Sequence, residues 1–234
     1  MNIKNSNILI TGGSLGIGKE TAKQLVALGA RVVITGRHKE RLERTAHEIG
    51  AIPFVFDISK FDDIEENAKA CVALLDGKID VLINNAGIGT FSKMGSLNIS
   101  DFEKVYATNV FGLAMLSQEI VKIFKAQNKG NIINIASTAS LKGFVGGSVY
   151  ASSKFALRGM TQSWQAELRP YNIRVILVNP SEVTTAFATD DRIEKEKADN
   201  KLGPEEIAHT MISALTMDQK GFIPEITIWA TNPF

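Results

Sequence analysis

The sequence predicts an α/β protein, a doubly wound parallel sheet of about seven strands with helices on both faces, in one domain over residues 1–234. Three observations predict it. Seven short runs are continuously apolar and rich in Ile and Val, as strands buried on both faces must be. Helical periodicity fills the intervals between them. A glycine-rich turn joins the first run to the first helix, the connection expected where such a sheet opens a ligand crevice beyond its strand ends. No linker, repeat or low-complexity tract divides the 234 residues.

The elements follow in order. "NILIT" (Asn7–Thr11) is apolar and closed by Gly12 and Gly13. "GKETAKQLVAL" carries helical spacing up to Gly29, and "RVVITG" is a β-branched strand stopping at Gly36. "KERLERTAHEI" is helical and ends at Gly50, "IPFVF" is a buried strand closed by Asp57, and a helix runs to about Leu75. "DVLIN" (Asp80–Asn84) is the fourth strand, and one long helix is expected from about Asp101 to Ala126. "GNIINIAS" is a strand, a helix containing Tyr150 follows, and "IRVILVN" (Ile173–Asn179) is the sixth strand. "GPEEIAHTMISAL" is a helix with Pro204 in its first turn, and "EITIW" (Glu225–Trp229) closes the pattern.

Composition narrows the function. The formal charge is +1, from 26 basic and 25 acidic side chains, so no basic excess points to nucleic acid. Cys71 is the only cysteine, in an apolar helical context; it reads as a buried small hydrophobe, and no zinc-type spacing predicts a metal. The N-terminal segment enters a strand directly and lacks signal-peptide features, and no apolar run approaches the roughly 18 residues of a membrane span. A soluble, cytoplasmic protein without a membrane partner is expected.

Two local patterns carry chemistry. "TGGSLGIGK" (Thr11–Lys19) places glycines where a backbone must turn sharply and approach a pyrophosphate at a helix N-terminus. It is not a strict GxGxxG, and no GxxxxGK[ST] is present. In "SVYASSKFAL", Tyr150 and Lys154 stand four apart and share a helix face. An ammonium there favours the phenolate and would lower the Tyr pKa toward one useful for proton exchange.

Together these motifs resemble the short-chain dehydrogenase/reductase family, a Rossmann-type fold. The resemblance rests on Thr11-Gly12-x-x-x-Gly16-x-Gly18, Asn84-Asn85-Ala86-Gly87 after the fourth strand, Ser137 after the fifth, and Tyr150-x-x-x-Lys154. It runs from about residue 5 to 230 and lies nearest the 3-oxoacyl-[acyl-carrier-protein] reductase-like members. By that resemblance Tyr150 is the general acid/base, Lys154 lowers its pKa and holds the nicotinamide ribose, and Ser137 orients the substrate oxygen. Asn109, in "ATNVFG", matches the helix Asn that links the Lys to water in a proton relay. Alternatives stay open at each: Thr138 or Ser140 for Ser137, and a packing amide for Asn109.

The same resemblance gives a cofactor set of Gly12, Ser14, Leu15, Gly16, Ile17, Gly18, Arg37, Asp57, Ile58, Asn84, Ala86, Gly87, Tyr150, Lys154, Pro180, Val183 and Thr185. Asp57 matches the residue that binds the adenine amino group, with a simple turn-starting Asp as the competing view. Asn84 is read as mainly structural with a cofactor contact. In "VVITGRHKERL" no carboxylate ends the second strand, and Arg37 offers a planar fork to a 2′-phosphate. NADP(H) is therefore the expected cofactor, with NAD(H) possible; Leu15 stands where many NADP-preferring relatives carry a basic residue. "NPSEVTT" replaces the family's Gly by Ser181, which questions the backbone angles there.

The implied activity is hydride transfer between nicotinamide and a carbonyl or secondary alcohol, on a 3-oxoacyl thioester or small ketone. A sugar- or steroid-type alcohol dehydrogenase and a catalytically silent NADP-binding regulator are the alternatives. Lys93, Lys142 and Arg158 are candidate contacts for an acidic acyl carrier. Phe91, Met94, Leu141, Phe144 and Phe187 fall in loops at the carboxyl edge of the sheet, as pocket or as packing. The charged segment Ala186–Gly203 occupies the family's lid position and reads as a solvated helix. A homo-oligomer, dimer or tetramer, is expected from pairing of the helices that bear Asn109 and Tyr150, with the tail "WATNPF" as a second contact.

Overall fold

The computed structural model describes residues 1–188, 196 and 198–233. Seven strands form one parallel sheet: β1 (Asn7–Thr11), β2 (Arg31–Gly36), β3 (Ile52–Val55), β4 (Val81–Asn84), β5 (Gly130–Ile135), β6 (Ile173–Pro180) and β7 (Glu225–Ile228), in the order 3-2-1-4-5-6-7. Neighbouring strands are all parallel. The order reverses between β1 and β4, so the chain leaves the sheet in opposite directions on either side and opens a crevice at their carboxyl ends.

The period-two alternation of each strand divides the core in two. Ile8, Ile10, Ile34, Ile83, Ile133 and Ile176 face α1 (Gly16–Ala27), α2 (Lys39–Ile49) and α7 (Pro204–Thr216), where they meet Leu25, Leu42 and Met211. Leu9, Val33, Leu82, Ile132 and Val175 face the other way, toward Cys71 of α3 (Ile64–Ala73) and Leu116, Ile120 and Phe124 of α5 (Leu113–Gln127). Each such fully buried side chain stabilises the fold by roughly 1.5–3 kcal/mol of transfer free energy. Burial pushes the Cys71 thiol up to about 12, as its reading as a core hydrophobe requires.

The long helical stretch expected from Asp101 to Ala126 is formed without a break, but it is not α-helical throughout. It is α4 (Ile99–Tyr106), a π-helical turn over Ala107–Gly112, and α5. The wide turn lies against the loop after β3, where a side chain at Gly112 would collide with the Ile58 carbonyl. The helix α6 (Ser148–Leu168) carries Tyr150 and Lys154 on its buried face. Of the lid segment expected as a solvated helix, residues 189–195 and 197 lie outside the described residues. Among the described residues no helix is long and apolar enough to cross a membrane.

Candidate active site

The floor of the crevice is two loops tied to one another. Gly12 and Gly16 take φ of +66° and +52°, open to Gly at little cost. Gly12 also packs so closely on the next loop that a Cβ would lie 2.9 Å from the Ala86 Cα. Thr11 Oγ1 accepts from the backbone N–H groups of Asn85 (3.1 Å) and Ala86 (3.0 Å). The Asn85 amide donates back to the carbonyls of Thr11 (3.0 Å) and Gly12 (2.9 Å). Asn85 was quoted in the motif but given no role; it is the residue that fixes the glycine turn against the loop after β4.

Most sequence-predicted residues line a single cleft above this floor: Gly12, Ser14, Leu15, Gly16, Ile17, Arg37, Asp57, Ile58, Ala86, Gly87, Ser137, Tyr150, Lys154, Pro180, Val183 and Thr185. Three do not. Gly18 packs beneath the turn, where a side chain would collide with the Asn85 amide and the Gly12 carbonyl. The Asn84 amide donates to Ser117 Oγ (2.8 Å) and Asn134 Oδ1 (2.9 Å), inside the core, and its expected cofactor contact is not formed by a cleft-facing side chain. Asn109, fully buried in the π turn, clamps Ile88: its Oδ1 accepts from the Ile88 N–H (2.9 Å), and its Nδ2 donates to the Ile88 carbonyl (2.9 Å) and Ser153 Oγ (3.1 Å). That side chain is occupied by packing bonds and makes none to Lys154.

At the inner end, Tyr150 and Lys154 are both buried. The Lys154 ammonium donates to the Ile135 carbonyl at 2.9 Å and stands 5.7 Å from the centroid of the Tyr150 ring. Burial lowers the Lys154 pKa to about 8. Burial also raises the Tyr150 phenol to about 12, and the opposing pull comes from the neighbouring Ser137 hydroxyl. Desolvation is thus the dominant influence on the phenol here, opposed by the Ser137 hydroxyl, and the expected lowering by Lys154 is not the larger effect. Ser137 Oγ also accepts from Ala139 N at 3.1 Å. Ser140 is turned away, donating to Asn179 Oδ1 at 2.8 Å, so Ser137 is the hydroxyl of this loop that meets the phenol.

The outer end is basic. Arg37 is exposed beside Gly36, and His38 and Arg41 line the cleft with it. Arg41 was not singled out from the sequence, although it lies one helical turn beyond Arg37; its Nε is buried with no hydrogen-bond partner among the described residues. Asp57 lines the cleft and also closes its own turn, with Oδ1 accepting from Ser59 N (3.0 Å) and Ser59 Oγ (2.7 Å). Its turn-starting role is the one formed by hydrogen bonds here. At the third wall Ser181 N donates to the Ile228 carbonyl at 2.9 Å, and Ser181 is not among the residues of positive φ, so Ser replaces Gly there without backbone strain. Arg158 leaves the substrate side, pairing with Glu225 at 3.2 Å.

Among the described residues no cluster of His, Cys, Asp and Glu is arranged to hold a metal ion. Residues 6–196 match the family model described as short chain dehydrogenase. The chain is 33% identical over 246 residues to an NADP-dependent 3-hydroxy acid dehydrogenase of Schizosaccharomyces pombe, covering 98% of this chain and 94% of that one. In structure it superposes on an alcohol dehydrogenase of the archaeon Thermococcus sibiricus complexed with 5-hydroxy-NADP, with a TM-score of 0.89 at 25% identity and 97% of each chain covered. A metagenomic short-chain oxidoreductase in complex with NADP gives a TM-score of 0.84 at 30% identity, covering 97% of this chain and 98% of that one. With the family model matching most of its length, the chain belongs to the short chain dehydrogenase family of oxidoreductases.

Proposed function

We propose that the protein is an NADP(H)-dependent carbonyl reductase whose reaction is carried by Ser137, Tyr150 and Lys154. The observation that supports it is their convergence: two hydroxyls and a buried ammonium line the same cleft as the glycine turn. The residues fit a dinucleotide bearing a 2′-phosphate. Side chains at Gly12 or Gly16 would strain or fill the cradle, Leu15 brings no side-chain acceptor and the first turn of α1 no acidic residue, and Arg41 Nε waits unpartnered at the outer end. Arg37 and Arg41 would hold the 2′-phosphate, the first-turn amides of α1 the pyrophosphate, and Lys154 the ribose beside the reacting ring. Bound NADPH supplies the hydride.

Ser137 donates a hydrogen bond to the carbonyl oxygen as negative charge develops on it, and Tyr150 delivers the proton that makes the alcohol. A phenol held near 12 is fully protonated at neutral pH, the state a reduction requires. The Lys154 ammonium, 5.7 Å from the ring centroid, stabilises the phenolate left behind. In this reading Asn109 is a positioning residue: its amide holds both sides of Ile88 and the Ser153 hydroxyl.

Candidate substrates are ketones and 3-oxoacyl thioesters. Of the residues considered for an acyl carrier, Lys93 and Lys142 remain exposed on the loops after β4 and β5, and Arg158 is committed to Glu225. A homo-oligomer is part of the same reading, supported by Phe111, Met115 and Phe155, which leave large apolar area exposed on the helices that bear Asn109 and Tyr150. The test is NADPH oxidation with acetoacetyl thioesters, diketones and aromatic ketones. Tight NADPH binding with no oxidation of it by any carbonyl would favour the silent regulator instead.

A further inference from the structure

We propose that the mouth of the cleft beside Tyr150 is a binding site for an apolar, aromatic substituent on the substrate carbonyl, a specificity that rests on the reductase reading above. Tyr150 is flanked by two rings: Phe91 at 5.6 Å between centroids and 61° between planes, and Phe187 at 5.6 Å and 58°. Phe91 continues to Phe144 at 6.0 Å and 46°. The three phenylalanines come from three different loops, after β4, β5 and β6; Phe91 and Phe187 pack on the residue whose hydroxyl would carry the proton, and Phe144 stands behind Phe91. All separations lie in the range of favourable aromatic contact.

The arrangement is spaced to stay open. Gly89 lies under Phe91 and Phe187, where a Cβ would come within 3.0 Å of both rings. Gly89 is not a positive-φ residue, so what the position requires is room. The loops after β4 and β5 are stitched by the Ser92 N–H donating to the Gly146 carbonyl at 2.9 Å, which fixes the spacing of Phe91 from Phe144. Yet Phe91 is 47% and Phe144 50% exposed, and Met94 (86%) and Val145 (85%) extend the apolar rim on the same two loops. This chain buries Phe124 completely, so packing alone does not account for rings left half open at a reaction centre. A contiguous apolar surface of this kind marks a ligand surface. A benzyl or comparable apolar group fits it; the exposed Lys93 and Lys142 on those loops make a small carboxylate the competing occupant.

The test uses two ketones that differ only by a ring. With NADPH, phenylacetone is expected to exceed acetone in kcat/KM by at least about tenfold, chiefly through KM. In Phe91→Ala with Phe144→Ala that ratio is expected to fall to about two- to threefold. A ratio near one in the parent, a ratio unchanged in the double variant, or acetoacetate preferred to phenylacetone would each overturn the proposal. If no ketone is reduced, the reductase reading fails separately. Calorimetry on the NADPH-loaded protein then decides the aromatic site: phenylacetamide binding tenfold more tightly than acetamide sustains it, and equal binding rejects it.

Discussion

The Lys154 ammonium is buried 5.7 Å from the Tyr150 ring centroid, and among the described residues it donates to the Ile135 carbonyl. The lysine is therefore held by the end of β5, and the phenol has the hydroxyl of Ser137, on the loop that follows, as its neighbour. One strand end positions both partners of the tyrosine.

Tyr150→Phe removes the proton donor and leaves the ring that packs between Phe91 and Phe187. The variant is expected to fold and to bind NADPH as the parent does, with kcat for ketone reduction lower by about 10²–10⁴. Stopped or steady-state kinetics paired with calorimetric NADPH titration checks both halves; a variant with near-parental kcat removes Tyr150 from the chemistry.

Lys154 makes stability depend on pH with a definite sign. Its folded-state pKa of about 8 lies below the ordinary 10.5, so the unfolded chain binds more protons between those values and stability rises with pH there. The penalty is present in full below pH 8 and is lost toward 10.5, a change of about 2–3 kcal/mol between pH 7 and pH 10 by linkage. Lys154→Met removes that dependence while leaving the Ile135 carbonyl unpaired, at about 1–3 kcal/mol. Relative to the parent, the variant should be more stable at pH 7 than at pH 10 by roughly 2–3 kcal/mol in urea denaturation. Equal offsets at the two pH values would show that Lys154 is not desolvated as described.

The outer end of the cleft is tested by cofactor preference. Arg37→Ala and Arg41→Ala should each lower kcat/KM for NADPH by about tenfold or more, the size of one lost charge-assisted bond, and change it little for NADH. A matched loss with both cofactors would place these residues outside 2′-phosphate recognition.

How much of this was legible in the sequence depends on the range of the interactions. The strand runs were, because burial on both sheet faces writes itself as unbroken apolar stretches such as Ile8–Ile10 and Val175–Val178. Gly12, Gly16, Ser137, Tyr150 and Lys154 were, because turn geometry and the i,i+4 face are local. The π turn was not: Ala107–Gly112 has ordinary helical periodicity, and the extra residue is accommodated by contact with Ile58, about 50 positions away in the chain. The balance of the Tyr150 pKa was not, since spacing reports the neighbouring charge and not the depth of burial. Asn85 was missed for a plainer reason. Its partners, Thr11 and Gly12, lie on a turn brought close by β1 pairing with β4, a relation no short window contains.

Asn85 yields the last prediction. Its amide bonds the Thr11 and Gly12 carbonyls, and its backbone N–H, with that of Ala86, meets Thr11 Oγ1. Asn85→Ala leaves two carbonyls of the glycine turn unpaired, costing about 1–3 kcal/mol in stability for partly buried groups. The turn then loses the brace that holds Gly12 within a few ångströms of Ala86, so KM for NADPH should rise about tenfold or more while kcat at saturation changes much less. Asn85→Asp sharpens the distinction. It keeps the size but replaces a donor by an anion facing two carbonyls, so it should fare worse than Ala in both stability and cofactor affinity. If Asp is tolerated as well as Asn, the amide is not what joins the two loops.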